Sequence, residues 1–216
     1  MINSGKEEAK TSKIEMMLKF INEVLIKFNS CVSRNFMGYM KLTNFCSICE
    51  LKTFSFTSYF FVTFNLEKLL KKKNYKVFSI EENFGEQNKN NTEKLLYCSK
   101  CLNKTKHFCY KQFYLLPQIL IISIQRGITY NFKIPIKVTE ILDLNDYAEF
   151  EYCKKKFNLM GLIGRSYTNG NVTFFSVVRF NQSWFCCEGI NINQINSPEE
   201  ANSKGDILLL FYDAIK

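Results

Sequence analysis

One histidine, His107, stands among the 216 residues, and no apolar run approaches the ~20 residues of a membrane-spanning helix. The first scarcity leaves a single imidazole for any chemistry that needs one. The second leaves no transmembrane segment to expect. The start, Met1-Ile2-Asn3-Ser4-Gly5-Lys6-Glu7-Glu8, is polar and charged where the apolar stretch of a secretory signal would stand. Nine cysteines, an odd number, with no such signal before them point to a reducing compartment, the cytoplasm or the nucleus. No internal repeat and no linker-like stretch divides the chain. Arginine is scarce beside lysine, and the net charge of +9 is scattered. Its densest clusters, Lys68 with Lys71-Lys72-Lys73 and Lys154-Lys155-Lys156, read as solvated faces, so nucleic acid is not the expected partner.

What is present argues for one substantial core. Hydrophobic residues make up 46% of the chain, with 21 Phe and 11 Tyr, well above what a disordered segment carries. Two Cys-x-x-Cys pairs, Cys46-Ser47-Ile48-Cys49 and Cys98-Ser99-Lys100-Cys101, carry the strongest chemical signal. Two residues between thiols let both sulfurs of a turn reach one tetrahedral ion, and two such turns supply the four thiolates of a closed structural zinc site. The interval between the pairs is long for a compact zinc ribbon. The metal is therefore expected to join two distant stretches, each carrying strands.

Ser12-x-x-Glu15 is a capping box, and Ile14, Met17, Leu18, Ile21, Val24, Leu25 and Phe28 follow at helical spacing, predicting a core-packing helix. Cys31 falls at the end of that helix and reads as a small buried or semi-buried residue. Residues 53–64 alternate as a strand or hairpin, and 81–92 read as a flexible surface connection. Strands are expected over 119–124, 132–138, 157–163, 174–180 and 208–211, with breakers at Asn169-Gly170-Asn171 and Ser197-Pro198. Cys186 and Cys187 point to opposite faces of a strand, one of them inward. Cys109 is at most a spare ligand, and Cys153 has no evident partner.

The order of several motifs resembles the ubiquitin-specific proteases, papain-like cysteine peptidases with thumb, palm and fingers. Glu15-Met16-Met17-x-x-Phe20-Ile21-Asn22-x-Val24 is similar to that family's thumb helix, and Phe36-Met37-Gly38 to the approach to its first knuckle. Tyr97-Cys98-Ser99-Lys100-Cys101 resembles the second knuckle. Leu116-Pro117-Gln118-Ile119-Leu120, continuing to Gln125-Arg126, resembles a palm strand. Leu142-Asp143-Leu144-x-x-Tyr147 and Leu208-Leu209-Leu210-Phe211-Tyr212 resemble the segments that follow. The resemblance implies an α+β fold, a partial form of the papain-like peptidase. Its fingers would be antiparallel strands pinned by Zn2+ on Cys46, Cys49, Cys98 and Cys101, beside a palm, with the thumb reduced to an N-terminal helix. Residues 1–11 would be disordered and 12–216 the domain: thumb-like helix 12–34, fingers 36–115, palm 116–216. The implied partner is ubiquitin or a scaffold protein of the ubiquitin pathway.

The family's chemistry, thiol-dependent hydrolysis of ubiquitin isopeptide bonds, does not carry over. Its nucleophile box is missing, and Asn29-Ser30-Cys31 is only a faint echo of it. At the family's histidine position stands Thr173, within Val172-Thr173-Phe174-Phe175-Ser176-Val177-Val178. At the aspartate position stands Glu188, within Trp184-Phe185-Cys186-Cys187-Glu188. His107 lies six residues past the second knuckle, as a surface or zinc-neighbouring residue. A cysteine peptidase attacks through a thiolate held by an imidazolium, which also protonates the leaving amine. The expectation is thus an inactive binding domain. Two alternatives stay open: an active deubiquitinase whose nucleophile lies on a segment outside this chain, and a basic zinc-ribbon module that binds nucleic acid.

Overall fold

The computed structural model describes residues 30–70, 76–89, 92–126, 134–148, 155–168 and 171–215, and divides into two units, 1–35 and 36–216. The predicted disordered start and the apolar helix face of residues 14–28 lie outside the described residues. At the end of the first unit, Ser30 opens a short helix, α1 (Cys31–Phe36). The Ser30 hydroxyl accepts the Ser33 N–H at 3.1 Å, and the Ser33 hydroxyl accepts the Ser30 N–H at 3.1 Å. This reciprocal cap satisfies donors that the first turn leaves open. Cys31 is exposed there, against the expectation of a buried or semi-buried residue, because it occupies the solvent side of that first turn.

Residues 36–216 are strand-rich. A four-stranded antiparallel sheet runs β2-β1-β6-β5, from β1 (Gly38–Cys46), β2 (Lys52–Tyr59), β5 (Thr92–Cys98) and β6 (Asn103–Leu115). The run over 53–64 is neither one strand nor a hairpin. It passes from β2 into β3 (Val62–Asn65), which leaves for a second sheet. That sheet is ordered β13-β12-β11-β10-β14-β7-β3, with β9 (Ile141–Asp143) also paired to β10. Its other members are β7 (Ile119–Gln125), β10 (Lys156–Thr168), β11 (Asn171–Phe180), β12 (Ser183–Glu188), β13 (Asn191–Ile195) and β14 (Asp206–Ala214). All its pairings are antiparallel except β3 with β7. Two short strands, β4 (Phe78–Ser79) and β8 (Ile136–Lys137), pair in parallel outside both sheets. Of the strand expected over 132–138, residues 134–138 are described, and only the two of β8 are in strand.

Alternation explains the core. In β7, Leu120, Ile122 and Ile124 are buried while Ile119, Ile121 and Ser123 are half-exposed. Phe175 and Val177 of β11, Phe157 and Leu159 of β10, and Leu210 and Tyr212 of β14 turn to the same core. The expected flexible connection at 81–92 is instead helix α3 (Ile80–Lys89), after the short α2 (Leu66–Leu70). Ser79 starts it: its carbonyl accepts the Asn83 side-chain amide at 2.7 Å, and its hydroxyl accepts the Glu82 N–H at 3.4 Å. Ser79-Ile80-Glu81-Glu82 is thus a capping sequence inside an Asn- and Glu-rich stretch. Ile80 and Phe84, one turn apart, carry the helix onto the core, where the Phe84 ring lies 5.0 Å from Phe64 and 5.7 Å from Phe113.

A strand through Cys186 and Cys187 was expected and is β12, whereas β13 was not foreseen. The turn before β12 uses Asn181 and Gln182, both at positive φ (47° and 66°), and the next turn uses Gly189 at 59°. Two consecutive left-handed residues suit the right-handed twist of a tight hairpin, but glutamine is a poor advertisement for one. A final helix, α4 (Ala201–Lys204), follows Pro198 and leads into β14.

Candidate functional site

The two Cys-x-x-Cys turns close two hairpins at one end of the four-stranded sheet. Cys46 ends β1 and Cys98 ends β5, and the β1–β6 register sets Cys46 opposite His107. Each turn is sealed by a backbone hydrogen bond, Glu50 N–H to Cys46 O at 3.0 Å and Leu102 N–H to Cys98 O at 2.9 Å. Glu50 and Leu102 both take positive φ, 60° and 55°, to complete that bend. Because β1 and β6 are neighbours and antiparallel, the end of one hairpin meets the start of the other.

The four sulfurs lie within 4.8 Å of one another, with Cys46 Sγ to Cys101 Sγ at 3.9 Å and Cys49 Sγ to Cys98 Sγ at 3.4 Å. Four thiolates around an ion with ~2.3 Å bonds stand roughly 3.8 Å apart, so donor type and spacing both fit a tetrahedral metal ion. Cys46 and Cys98 are buried, and Cys49 and Cys101 half-exposed. The Thr105 hydroxyl, 3.2 Å from Cys46 Sγ, and then the Cys49 N–H pull the Cys46 thiol down to about 5. The Cys101 N–H also lowers Cys98. Burial raises Cys49, while Cys101 is pushed up to about 12, first by its contact with Cys49 and then by burial. Without an ion, four packed thiols share few negative charges; a divalent cation removes the conflict, and its binding expels protons.

His107 is buried rather than on the surface, with Nδ1 2.9 Å from the Thr105 carbonyl oxygen, and it stands outside the four-sulfur cluster. Thr105, which sequence reasoning did not single out, supports Cys46 directly. Thr105→Val is expected to weaken metal affinity about 10–100-fold, the usual loss for a group that orients a ligand, whereas Thr105→Ser retains it. Competition against a chromogenic chelator measures both. Cys109 is buried near His107 on β6 but is likewise outside the cluster, and Cys153 lies outside the described residues.

Thr173 and Glu188 are brought together. Thr173 on β11, Glu188 at the end of β12, Ser166 on β10 and Lys204 of α4 line a cavity of about 400 Å³ with Phe174 and Gly189. Ser166 Oγ and Thr173 Oγ1 are hydrogen-bonded at 2.7 Å, and Lys204 Nζ sits 3.5 Å from Glu188 Oε1. The cavity is lined by neither a thiol nor an imidazole. Cys186, two residues before Glu188, is buried with its thiol raised chiefly by burial; Cys187 is half-exposed on the other face, as strand alternation required. Lys204 was invisible in the sequence because only the return of α4 onto β10 and β12 puts it there. Where the two sheets meet, a larger groove of about 700 Å³ is lined by Met40, Leu42, Phe61, Thr63, Lys94 and Lys111 among others.

No protein-family model and no curated protein matches the sequence. Solved structures do. Those of the SAGA deubiquitinating (DUB) module containing Ubp8, Sgf11, Sus1 and Sgf73 superpose well. One bound to monoubiquitin matches at TM-score 0.68 and 16% identity over 86% of this chain and 42% of that chain. One bound to ubiquitin aldehyde matches at 0.67 and 15% over 97% and 49%. A yeast module with an altered Sgf73 matches at 0.67 and 16% over 89% and 44%. The chain spans less than half the length of these solved chains. With two sheets joined as described and a four-cysteine cluster at the tip of one, the chain has a fold like that of the matched chains of these Ubp8-containing DUB modules.

Proposed function

We propose that this chain is a ubiquitin-specific-protease-like domain that works by binding, to ubiquitin or to a scaffold protein of that pathway, and does not hydrolyse isopeptide bonds. In this reading residues 36–115 are fingers, 116–216 a palm, and 12–34 a thumb-like remnant after a disordered 1–11. Cys46, Cys49, Cys98 and Cys101 hold Zn2+ as a structural ion. The domain works in the cytoplasm or nucleus.

One observation carries the inactivity: the cavity formed by Thr173 and Glu188 is occupied by other partnerships. A peptidase of this class needs an acid that orients an imidazole and an imidazole that activates a thiol. Here the Glu188 carboxylate receives an ammonium, Lys204, and the Thr173 hydroxyl is tied to Ser166. A threonine hydroxyl does not titrate near neutrality, so it neither takes the proton of a thiol nor returns one to a lysine leaving group. The lysine is no substitute: it is paired with Glu188, and the thiol that it also reaches, Cys186, is buried and raised chiefly by that burial. What the chain retains is shape: the groove between its sheets is broad, partly apolar and edged by Lys94 and Lys111. The resemblance assigns such a concavity to the body of ubiquitin, and the solved modules include ones bound to ubiquitin.

Incubated with a ubiquitin–fluorophore amide, the purified chain is expected to release no fluorophore above the buffer rate. Release that an alkylating agent abolishes overturns the inactive reading. Calorimetric titration with ubiquitin tests binding separately, and a flat trace at high micromolar ubiquitin shifts the assignment to the scaffold partner.

A further inference from the structure

One face of the β11–β12–β13 corner carries no charged side chain. The register aligns Phe180 with Ser183, Val178 with Phe185 and Gln194, and Ser176 with Cys187 and Ile192; Val172 and Phe174 complete the same face. Phe174, Phe180 and Ile192 are 64%, 65% and 67% exposed. The opposite face of the same hairpins has Arg179 against Trp184, and Glu188 with Lys204. In a chain with 29 basic and 20 acidic residues, a contiguous surface of this size without a charge is a site kept free for contact.

The face ends at an open edge. β13 is the last strand in its sheet, so among the described residues its outer N–H and C=O groups face no further strand. Its sequence, Asn191-Ile192-Asn193-Gln194-Ile195, has none of the lysine or proline guards that edges ordinarily carry, and its ladder to β12 runs without a bulge. We propose that a second copy of this chain occupies that edge, pairing β13 with β13 antiparallel about a two-fold axis and extending the eight-stranded sheet across both molecules.

Three features select a copy of itself. A two-fold contact needs one patch that complements itself, and a short neutral strand does so. Side-chain alternation demands that paired residues share a face, and a dyad at Asn193 meets this: Asn191 pairs with Ile195 and Ile192 with Gln194 across the axis, so all five residues are used and the apolar face continues. Two molecules of net charge +9 repel, and they approach at least cost where neither presents a charge. The salt dependence follows with a definite sign. Screening shortens the repulsion, so salt strengthens this dimer, whereas a charge-driven partner such as nucleic acid would be weakened.

The inference is independent of the ubiquitin reading. Sedimentation of the full chain from about 1 to about 200 µM, at low and moderate salt, tests it by mass action. The expected result is a shift from one to two chain masses, favoured by salt. Ile192→Lys and Gln194→Lys each place a charge on that face of β13 and are expected to raise the dimerisation midpoint about tenfold or more, with an unchanged far-UV spectrum and melting temperature. A monomer throughout, a dimer indifferent to both substitutions, or a mass that grows without stopping at two overturns the proposal.

Discussion

Stripping the metal with a strong chelator, or replacing Cys98 with alanine, is expected to melt the tip of the four-stranded sheet. The cause is topological. The β1–β2 and β5–β6 hairpins are each closed by a knuckle, and the sulfurs joining them come from turns 49 residues apart, Cys49 and Cys98. Around the cluster there is little apolar burial to replace the ion: Lys52, Leu95, Tyr97 and Leu102 lie open to solvent. The main core draws instead on β3, β7, β10, β11 and β14, with Phe113 of β6 at the base. A structural zinc contributes on the order of 10 kcal/mol at neutral pH, against a net domain stability of about 5–15 kcal/mol. Loss of the ion should therefore appear as fast amide exchange over residues 38–59 and 92–112, while the β7–β14–β10 strands stay protected. Ion binding displaces protons from the thiols, so the stabilisation grows as pH rises from about 5 to about 8. Thermal melts with and without added Zn2+ across that range check the sign. Uniform protection with and without metal would mean that the cysteines do not hold the tip.

Asp206→Ala is expected to cost about 3–5 kcal/mol, the size typical of removing one member of a buried ion pair. Its carboxylate lies between two guanidinium groups: Oδ1 is 3.3 Å from Arg126 Nη1, and Oδ2 is 3.2 Å from Arg165 Nη2. All three side chains are at least nine-tenths buried. Arg126 also donates from Nε to the Ile207 carbonyl at 3.1 Å and from Nη1 to the Ile134 carbonyl at 3.0 Å, binding the end of β7 to β14. Burial pulls the Arg126 guanidinium down, Asp206 pulls it back up, and Arg165 opposes that recovery. Without the carboxylate, two like charges remain close together in the interior. Asp206→Asn keeps the shape and loses the charge, and should be nearly as damaging. Asp143 makes the contrast. Its pair with Lys156 at 3.0 Å is about half exposed on both sides, and such surface pairs are worth about 0–1 kcal/mol. Urea titration of Asp206→Ala beside Asp143→Ala separates the cases, and equal midpoints would remove the claim that the buried trio matters.

Apolar and aromatic runs made β7, β10, β11 and β14 legible, and in β7 the structure buries every second residue of that run. The helix at 80–89 was read as a flexible connection because of the polar composition of that stretch, although Ser79-Ile80-Glu81-Glu82 carries a capping pattern. Composition misled there because a helix that lays only Ile80 and Phe84 on a core needs few apolar residues. Strand β13 escaped because the turn before it lacks the Asn-Gly signature and its short polar sequence, Asn-Ile-Asn-Gln-Ile, lies on an edge where neither face is fully buried. Cys31 shows the same limit from the other side: a small apolar residue is buried only if something packs on it.

Ligand type and local bend at the two knuckles were settled by sequence, because a Cys-x-x-Cys turn aims both sulfurs inward through short-range backbone geometry alone. The absence of an imidazole beyond His107 was equally a matter of sequence. Tertiary structure decided which groups meet: that four sulfurs from hairpins far apart in the chain share one centre, that Thr105 braces Cys46, and that Lys204 arrives beside Glu188. Those meetings depend on the order of strands within each sheet and on one short helix returning across it. Long-range pairing of that kind leaves no periodic mark on the residues that it brings together.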